Sequence, residues 1–475
     1  MAESSMVSQV SWPSHALPVA ACLDNDDLDS MDFGLDLDVD FHHADEKSGV
    51  TQCEAQESNA PPWDCLPPEI LTKIFFHLGD KDKESAECTC VAWGEACNNP
   101  TLWHTQDFSF TGDNCLEMVN QGCRTIERKG YLLRTLTLRI GVPSVPQAWM
   151  MSQCVQGLLE FIAQQPGTRH IHSVTISNLN FFRHWRFFTL SKHNILLAVN
   201  NFLLSQSRLR HVDLAMCRLS ADDGMRILRA LVIGQSRHTV RRLHLHGFFQ
   251  PKYQATLGGR FRRLVSTSFT GLRHLSLDAR HLDPDFLVAL LSRSPSQASL
   301  SHMTVHLESS APREPVAESV WERVRRLSPD FTVSFVFEGR LPSQVARLIL
   351  TPSVPLTEVV VIWPKGSRQS QAIHLQLTDL LNRVTALYSG LLEKVRLKSR
   401  IRAKAETELA LIRLATQCRR LAEFRVSVKL SESVIQQIRS TLLARGQNIL
   451  IEVNPLKKKP RAISPKTRSR SCGSH

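Results

Sequence analysis

Six histidines, an arginine and two aspartates recur in this chain at a spacing that would set them side by side. His211, Arg242, His244, His246, His274, His302 and His306, with Asp213 and Asp278, fall at the third, fifth or seventh position of short segments built on the apolar template L-x-x-L-x-L. In an extended strand the side chains alternate between faces, so the three template residues turn to a core and these positions turn to the opposite, concave face. Neighbouring strands lie about 4.8 Å apart, which would merge the side chains into one patch. Six of the 19 histidines would share that face. Three kinds of chemistry fit such a patch. It is a solvated strand face with no special task. Or it is a substrate-binding surface for an acidic or phosphorylated segment, held by Arg242 and the histidines and gaining strength as pH falls toward about 6.5. Or His244, His246 and His274 hold a metal. The readings stay open here, and no metal or other cofactor is expected.

The elements that would carry the patch follow from the template itself. It recurs nine times, beginning at Leu133, Ile171, Leu209, Val240, Leu272, Leu300, Leu356, Leu392 and Leu421, at intervals of 38, 38, 31, 32, 28, 56, 36 and 29 residues. The 56-residue interval is two periods of 28, with the β-rich stretch Phe331 to Phe337 in the gap. Repetition on this scale predicts a solenoid whose units bury their apolar faces only by stacking. Each unit is a strand and a helical return, such as Ala221 to Ile233, Pro284 to Ser292 and Ser431 to Leu443. The segment LRHVDLAMCRL, Leu209 to Leu219, is the cleanest leucine-rich-repeat match, with Cys217 in the Asn/Cys slot.

Upstream the pattern differs. Asp64 is placed to cap a helix opening at Pro67 and Pro68, where proline costs least. Leu66, Ile70, Leu71, Ile74, Phe75 and Leu78 form an apolar stripe at helical spacing, stopped by Gly79 and Asp80. A second helical stretch carries Cys90, Trp93 and Cys97, and a third ends at Leu102 and Trp103. Roughly 40 residues bury too little core to stand alone, so this unit is expected to lean on a partner.

The string LPPEILTKIFFHL, then CVAW, then LW ten residues after Trp93, resembles an F-box. The resemblance covers about a tenth of the chain. It implies a small three-helix module that docks on the Skp adaptor of a cullin–RING ubiquitin ligase. Carried over by position, Leu66, Pro67, Ile70, Leu71, Ile74, Phe75 and Leu78 would face the adaptor, joined by Cys90, Trp93, Leu102 and Trp103. Two places depart from the family pattern. GDKDKES follows the first helix where apolar residues are usual, and Thr89 stands where a valine precedes the cysteine. The downstream array resembles the irregular leucine-rich-repeat-like domains that follow the F-box in many substrate receptors.

The formal net charge is +12, yet residues 24–46 hold ten acidic residues and no lysine or arginine. There acids alternate with Met31, Phe33, Leu35, Leu37, Val39 and Phe41, as in disordered docking segments or in a plain solvated tail. The chain ends in KKKPRAISPKTRSRS, where Lys457, Lys458, Lys459 and Arg461 read as a nuclear-import signal, a nucleic-acid-contacting arm or a solvated tail. No secretory signal opens the chain, and no apolar run approaches the roughly 18 residues of a membrane span. The 12 cysteines are therefore expected as free thiols. Nucleic acid and membrane are not expected partners. The motifs G-x-S-x-G, P-loop, H-E-x-x-H and Rossmann glycines are all missing, and Gly258-Gly259 reads as a turn. The expected fold class is α/β: a small three-helix F-box at 61–108, then an irregular leucine-rich-repeat-like solenoid of about ten repeats at 109–455, between disordered termini at 1–60 and 456–475. The expected function is a non-catalytic substrate receptor of the ligase, cytoplasmic or nuclear, with an unknown protein substrate. The alternative is a nuclear scaffold or transcription-associated repeat protein with a vestigial F-box.

Overall fold

A computed structural model describes residues 63, 66–111, 114–141, 147–179, 189–250, 254–292, 300–308, 315–339, 343–363, 371–399, 401–445 and 450–455. The acidic segment, the expected cap Asp64 and the basic run from Lys457 lie outside the described residues.

The first helices are α1 (Pro68–Phe75), α2 (Asp80–Glu87) and α3 (Val91–Cys97), followed by a 3-10 turn at Pro100–Leu102. Pro67 is the residue before the first turn of α1 and no side chain caps it; Pro68, which has no N–H to leave unpaired, opens the helix. Gly79 and Asp80 do not stop α1, which ends at Phe75; they begin α2. The polar string GDKDKES is thus a helix. Asp80 and Asp82 in its first turn complement the helix dipole. Its one buried cation, Lys83, has Nζ 3.1 Å from Asp80 Oδ1, and donates to the Leu102 carbonyl at 3.2 Å.

Leu71, Phe75, Ala86, Ala96, Cys97, Leu102 and Trp103 close a small core, with Leu66, Leu78 and Trp93 packed at its edge. Trp103 keeps its indole N–H satisfied by donating to the Cys97 carbonyl at 2.7 Å. The charges of α2 also have a structural task. They fasten the unit to α4 (Cys115–Lys129), the first helix of the repeats. Gln121 and Thr125 donate to the two Glu84 carboxylate oxygens at 2.9 and 3.1 Å. Lys129 and Arg128 reach Glu87 at 3.1 and 3.3 Å, and Lys129 also reaches Asn98 at 3.0 Å.

The repeats form one parallel sheet with strands in chain order. They are β1 (Thr105–Phe110), β2 (Thr135–Ile140), β3 (Ser173–Ser177), β4 (His211–Asp213), β5 (Arg242–His244), β6 (His274–Asp278), β7 (His302–Leu307), β8 (Thr332–Glu338), β9 (Leu356–Ile362), β10 (Lys394–Lys398), β11 (Glu423–Leu430) and β12 (Leu450–Pro455). Strand β8 fills the long template gap, while β1 and β12 extend the array at either end; β1 straddles the boundary expected at residue 108. All nine template triads are buried, in one core running from Phe108 to Leu442. Irregular spacing follows helix length. The 38-residue intervals hold α5 (Gln147–Gln164) and α6 (Thr189–Ser205), of 18 and 17 residues, whereas a 28-residue interval holds an eight-residue helix, Pro284–Leu291. The returns end as the sequence predicts at α7 (Ala221–Ile233) and within a residue at Pro284–Leu291 and Glu432–Leu443. Gly258-Gly259 is not a turn but part of helix Gln254–Ser268. In the Asn/Cys slot, the buried Cys217 thiol donates to the Ile176 carbonyl of the preceding repeat at 3.2 Å, satisfying an oxygen that the stack would otherwise bury unpaired.

Replacing Glu84 and Glu87 together by alanine removes the acceptors that hold α2 to α4. The expected loss is about 1–2 kcal/mol, confined to the small helical unit. Hydrogen exchange should quicken over residues 80–97 and stay unchanged in the strands β4 to β9.

Candidate adaptor-binding face and strand-face site

Burial divides the residues assigned to the adaptor surface into two groups. Leu71, Phe75, Leu102 and Trp103 lie in the interior and hold the helices together. Leu66, Leu78 and Trp93 are half-buried at the core edge, and Cys90 is half-buried at the start of α3. Pro67 is exposed at the mouth of α1. The large apolar side chains open to water on this unit are Ile70 and Ile74, one turn apart on α1 and 40% and 38% exposed, with Trp63 at 67%, Phe76 at 65% and Val91 at 80%. Phe76 and Val91 were absent from the sequence assignment. Phe76 stands in the apolar run IFFHL, so the signal existed, but helical phase assigned that side to solvent. Five large apolar side chains open to water among the described residues of one short unit mark surface made to be covered.

On the sheet, alternation places the predicted patch on the face turned away from the helices. Strand register sets His211 opposite Arg242, Arg242 opposite His274 and His274 opposite His302. Asp213 pairs with His244. The rings of His211 and His244 lie 5.0 Å apart, those of His274 and His302 5.8 Å. His246 and His306 stack in parallel at 3.7 Å. All seven predicted residues are therefore on the face, but in separate groups. His244, His246 and His274 do not come together as one ligand set, because His246 pairs with His306 and His274 with His302.

Asp278 does not join the patch. Its buried carboxylate accepts the Gly247 N–H at 3.0 and 3.1 Å, one contact to each oxygen. Gly247 has φ +62°, and a Cβ there would meet Met216 Sδ at 2.5 Å, so a larger residue would be strained and would need the Met216 side chain to move. Burial pushes the Asp278 carboxyl up to about 6, against the lowering effect of that N–H.

Residues beyond the predicted patch complete the face. His306 Nδ1 lies 3.0 Å from Glu338 Oε1, which holds that carboxyl below its ordinary range. His302 contacts Thr332 at 2.8 Å and Ser334 at 3.1 Å, and Ser334 donates to Glu358 at 2.9 Å. Arg396 grips Glu423 through two bonds of 2.7 and 2.8 Å and reaches Glu358 at 3.2 Å; Arg425 also meets Glu423 at 2.7 Å. Glu358, Arg396, Glu423 and Arg425 sit at the same third and fifth template positions, at Leu356, Leu392 and Leu421, so extending the alternation rule would have found them.

Burial lowers the pKa of His211, His244, His246, His274 and His302, to about 3 for His246 and about 4 for His302, with nearby cations and imidazoles adding to the effect. Burial therefore favours the neutral ring in all five, and His246 and His302 stay neutral well below pH 6.5. Desolvation on adjacent strands thus works against charging of these five rings near pH 6.5. The sign for stability follows. Unfolded, each histidine takes a proton near pH 6.5; folded, each does so at lower pH, near 3 for His246 and near 4 for His302. Their contribution is full above pH 6.5 and is lost as pH falls through the folded values, which lie near 3 for His246 and near 4 for His302. Asp278 acts in the opposite sense, since its folded carboxyl protonates near pH 6 and its unfolded one near 3.8. Five imidazoles outweigh one carboxyl, so the thermal midpoint should fall steadily from pH 6.5 to 4.5. Substituting glutamine at both His246 and His302 should flatten that slope by up to about 1 kcal/mol per pH unit and residue after screening. Calorimetry at matched ionic strength checks it.

The F-box-like family matches residues 63–109, the segment that carries α1 to α3. The chain is 25% identical over 384 residues to F-box/LRR-repeat protein 8 of Homo sapiens, covering 80% of this chain and 93% of that protein. It is 24% identical over 394 residues to F-box/LRR-repeat protein 8 of Bos taurus, with the same coverage of each. The chain thus carries an F-box-like unit at residues 63–109 with a parallel-stranded repeat array behind it, and over four-fifths of its length it is similar to F-box/LRR-repeat proteins.

Proposed function

We propose that this chain is the substrate-recognition subunit of a Skp adaptor–cullin–F-box ubiquitin ligase, with the repeat array holding a target protein. The observation that carries the reading is the set of exposed apolar side chains, Ile70 and Ile74 one turn apart on α1 together with Phe76 and Val91, on an F-box-like unit whose own core is already closed. Those side chains have no core left to join, and an adaptor surface would cover them. The chain itself is proposed to be non-catalytic. It fixes a target lysine near a ubiquitin-charged enzyme bound on the cullin–RING scaffold, and rate is gained through effective concentration and orientation. The target is proposed to lie along the outward strand face, where neutral imidazoles offer hydrogen bonds and the exposed Arg242 offers a fixed charge.

Aspartate at Ile70 and Ile74 should abolish co-purification of the Skp adaptor and cullin from cell extract while leaving the thermal midpoint unchanged, because both side chains already face water. Phe75→Ala should instead cost about 3–5 kcal/mol through the cavity it leaves. If the double aspartate variant keeps the adaptor, the ligase reading fails and the scaffold reading replaces it.

The location is proposed to be cytoplasmic and nuclear, with Lys457, Lys458, Lys459 and Arg461 acting in import. Alanine at all four should move a fluorescently tagged chain out of the nucleus. An unchanged nuclear fraction would leave the tail no import role.

A further inference from the structure

On β4 and β5, two imidazoles and a carboxylate surround one point of the outward strand face. His211 and Asp213 are two residues apart on the same side of β4, and Asp213 pairs in register with His244 of β5. One ligand atom from each residue lies within 4.8 Å of the other two. His244 Nδ1 is 3.9 Å from Asp213 Oδ2. We propose that His211, Asp213 and His244 form a binding site for a divalent metal ion of the zinc class.

The donor set decides the class of ion. Two imidazoles and one carboxylate suit zinc, whereas calcium and magnesium take oxygen ligands. Zinc bonds to nitrogen and oxygen of about 2.0–2.1 Å place tetrahedral ligand atoms about 3.3 Å apart. The three donors need to close by about 0.5–1.5 Å, which side-chain rotation supplies while the strand register stays fixed. The supporting contacts are in place. Asp213 Oδ1 accepts the Ala215 N–H at 2.9 Å, which anchors the carboxylate and leaves Oδ2 on the His244 side. His211 Nδ1 lies 3.4 Å from Ser173 Oγ. Its Nε2 is shut off from solvent and has no hydrogen-bond partner, an uncompensated group that a ligand would satisfy. The other imidazole groups of the face differ: His302 is engaged by Thr332 and Ser334, and His306 by Glu338.

Three protein ligands leave a fourth position open toward the outside of the sheet. Water fills it in the free chain, and a carboxylate, imidazole or thiolate of a bound segment can replace that water. The site would then tie the target to the face through the metal. Its existence does not depend on the ligase reading, because the ion binds the free chain.

The test is metal titration of the full-length chain, stripped with a chelator and kept reduced with a phosphine, first with Co(II) and then with Zn(II). Cobalt reports tetrahedral nitrogen and oxygen ligation through its visible d–d bands, and thiolate ligation by free cysteines through a separate near-ultraviolet band. The wild type should bind one equivalent, without a thiolate band, that a His211→Gln, His244→Gln double variant lacks. Asp213→Asn, which keeps the side-chain shape and the possibility of an oxygen facing Ala215, should weaken Zn(II) by about tenfold or more. His246→Gln, on the same face but outside the triad, should bind as the wild type does. Equal stoichiometry in the wild type and the double variant would overturn the proposal, and so would equal weakening by His246→Gln. Circular dichroism confirms that each variant is folded; if the double variant is not, Asp213→Asn decides the matter.

Discussion

A short parallel strand can bury its apolar side chains only against the strands before and after it, and the structure of this chain depends on that constraint. In β4 and β5 three residues suffice to carry the ladder, because Val212 and Leu243 are sealed by their neighbours and by the helices behind. Register and side-chain alternation are coupled. A slip of one residue would expose the template leucines and bury the imidazoles. The same ladder that closes the core therefore arranges the outward face, residue opposite residue. Local devices hold each turn in step, including the Cys217 thiol on the preceding repeat and the Asp278 carboxylate on the Gly247 N–H.

Crowding on that face shapes its electrostatics. Burial on adjacent strands lowers the pKa of His211, His244, His246, His274 and His302, so these five favour the neutral ring and add little positive charge to the surface at pH 7. Charge concentrates further along, where Glu358, Arg396, Glu423 and Arg425 neutralise each other in a chain of bonds across β9, β10 and β11. The face thus grades from an imidazole-rich half to a salt-bridged half. Near β4 and β5 the face offers hydrogen-bonding imidazoles more than fixed positive charge.

The small helical unit solves a different problem. With too few residues for a large core, it closes around Trp103 and Phe75 and uses the polar helix α2 as a strap to the repeats. The polar character of α2 suits that strap, since Glu84 and Glu87 meet Gln121, Thr125 and Lys129 across the junction. One apolar side is left outward, for a partner.

By itself the sequence determined the repeat architecture, the nine buried template triads, the α-helical returns at Ala221 and Pro284, and the side of the sheet on which His211 through His306 stand. These follow from periodicity and alternation, which are local properties of the chain. It also carried the F-box pattern. Only the tertiary structure decided which residues of that pattern face outward: Phe75 and Ile74 are adjacent in one helix, and packing against Trp93 and Leu71 sends one inside and leaves the other in water. Only the structure grouped the histidines, setting His211 with Asp213 and His244 while stacking His246 on His306, because the groups are set by contacts between strands some 30 residues apart. Burial then set their charge. A single chain of letters carries the identity of an imidazole but not the solvent around it, and desolvation depends on neighbours that only folding supplies.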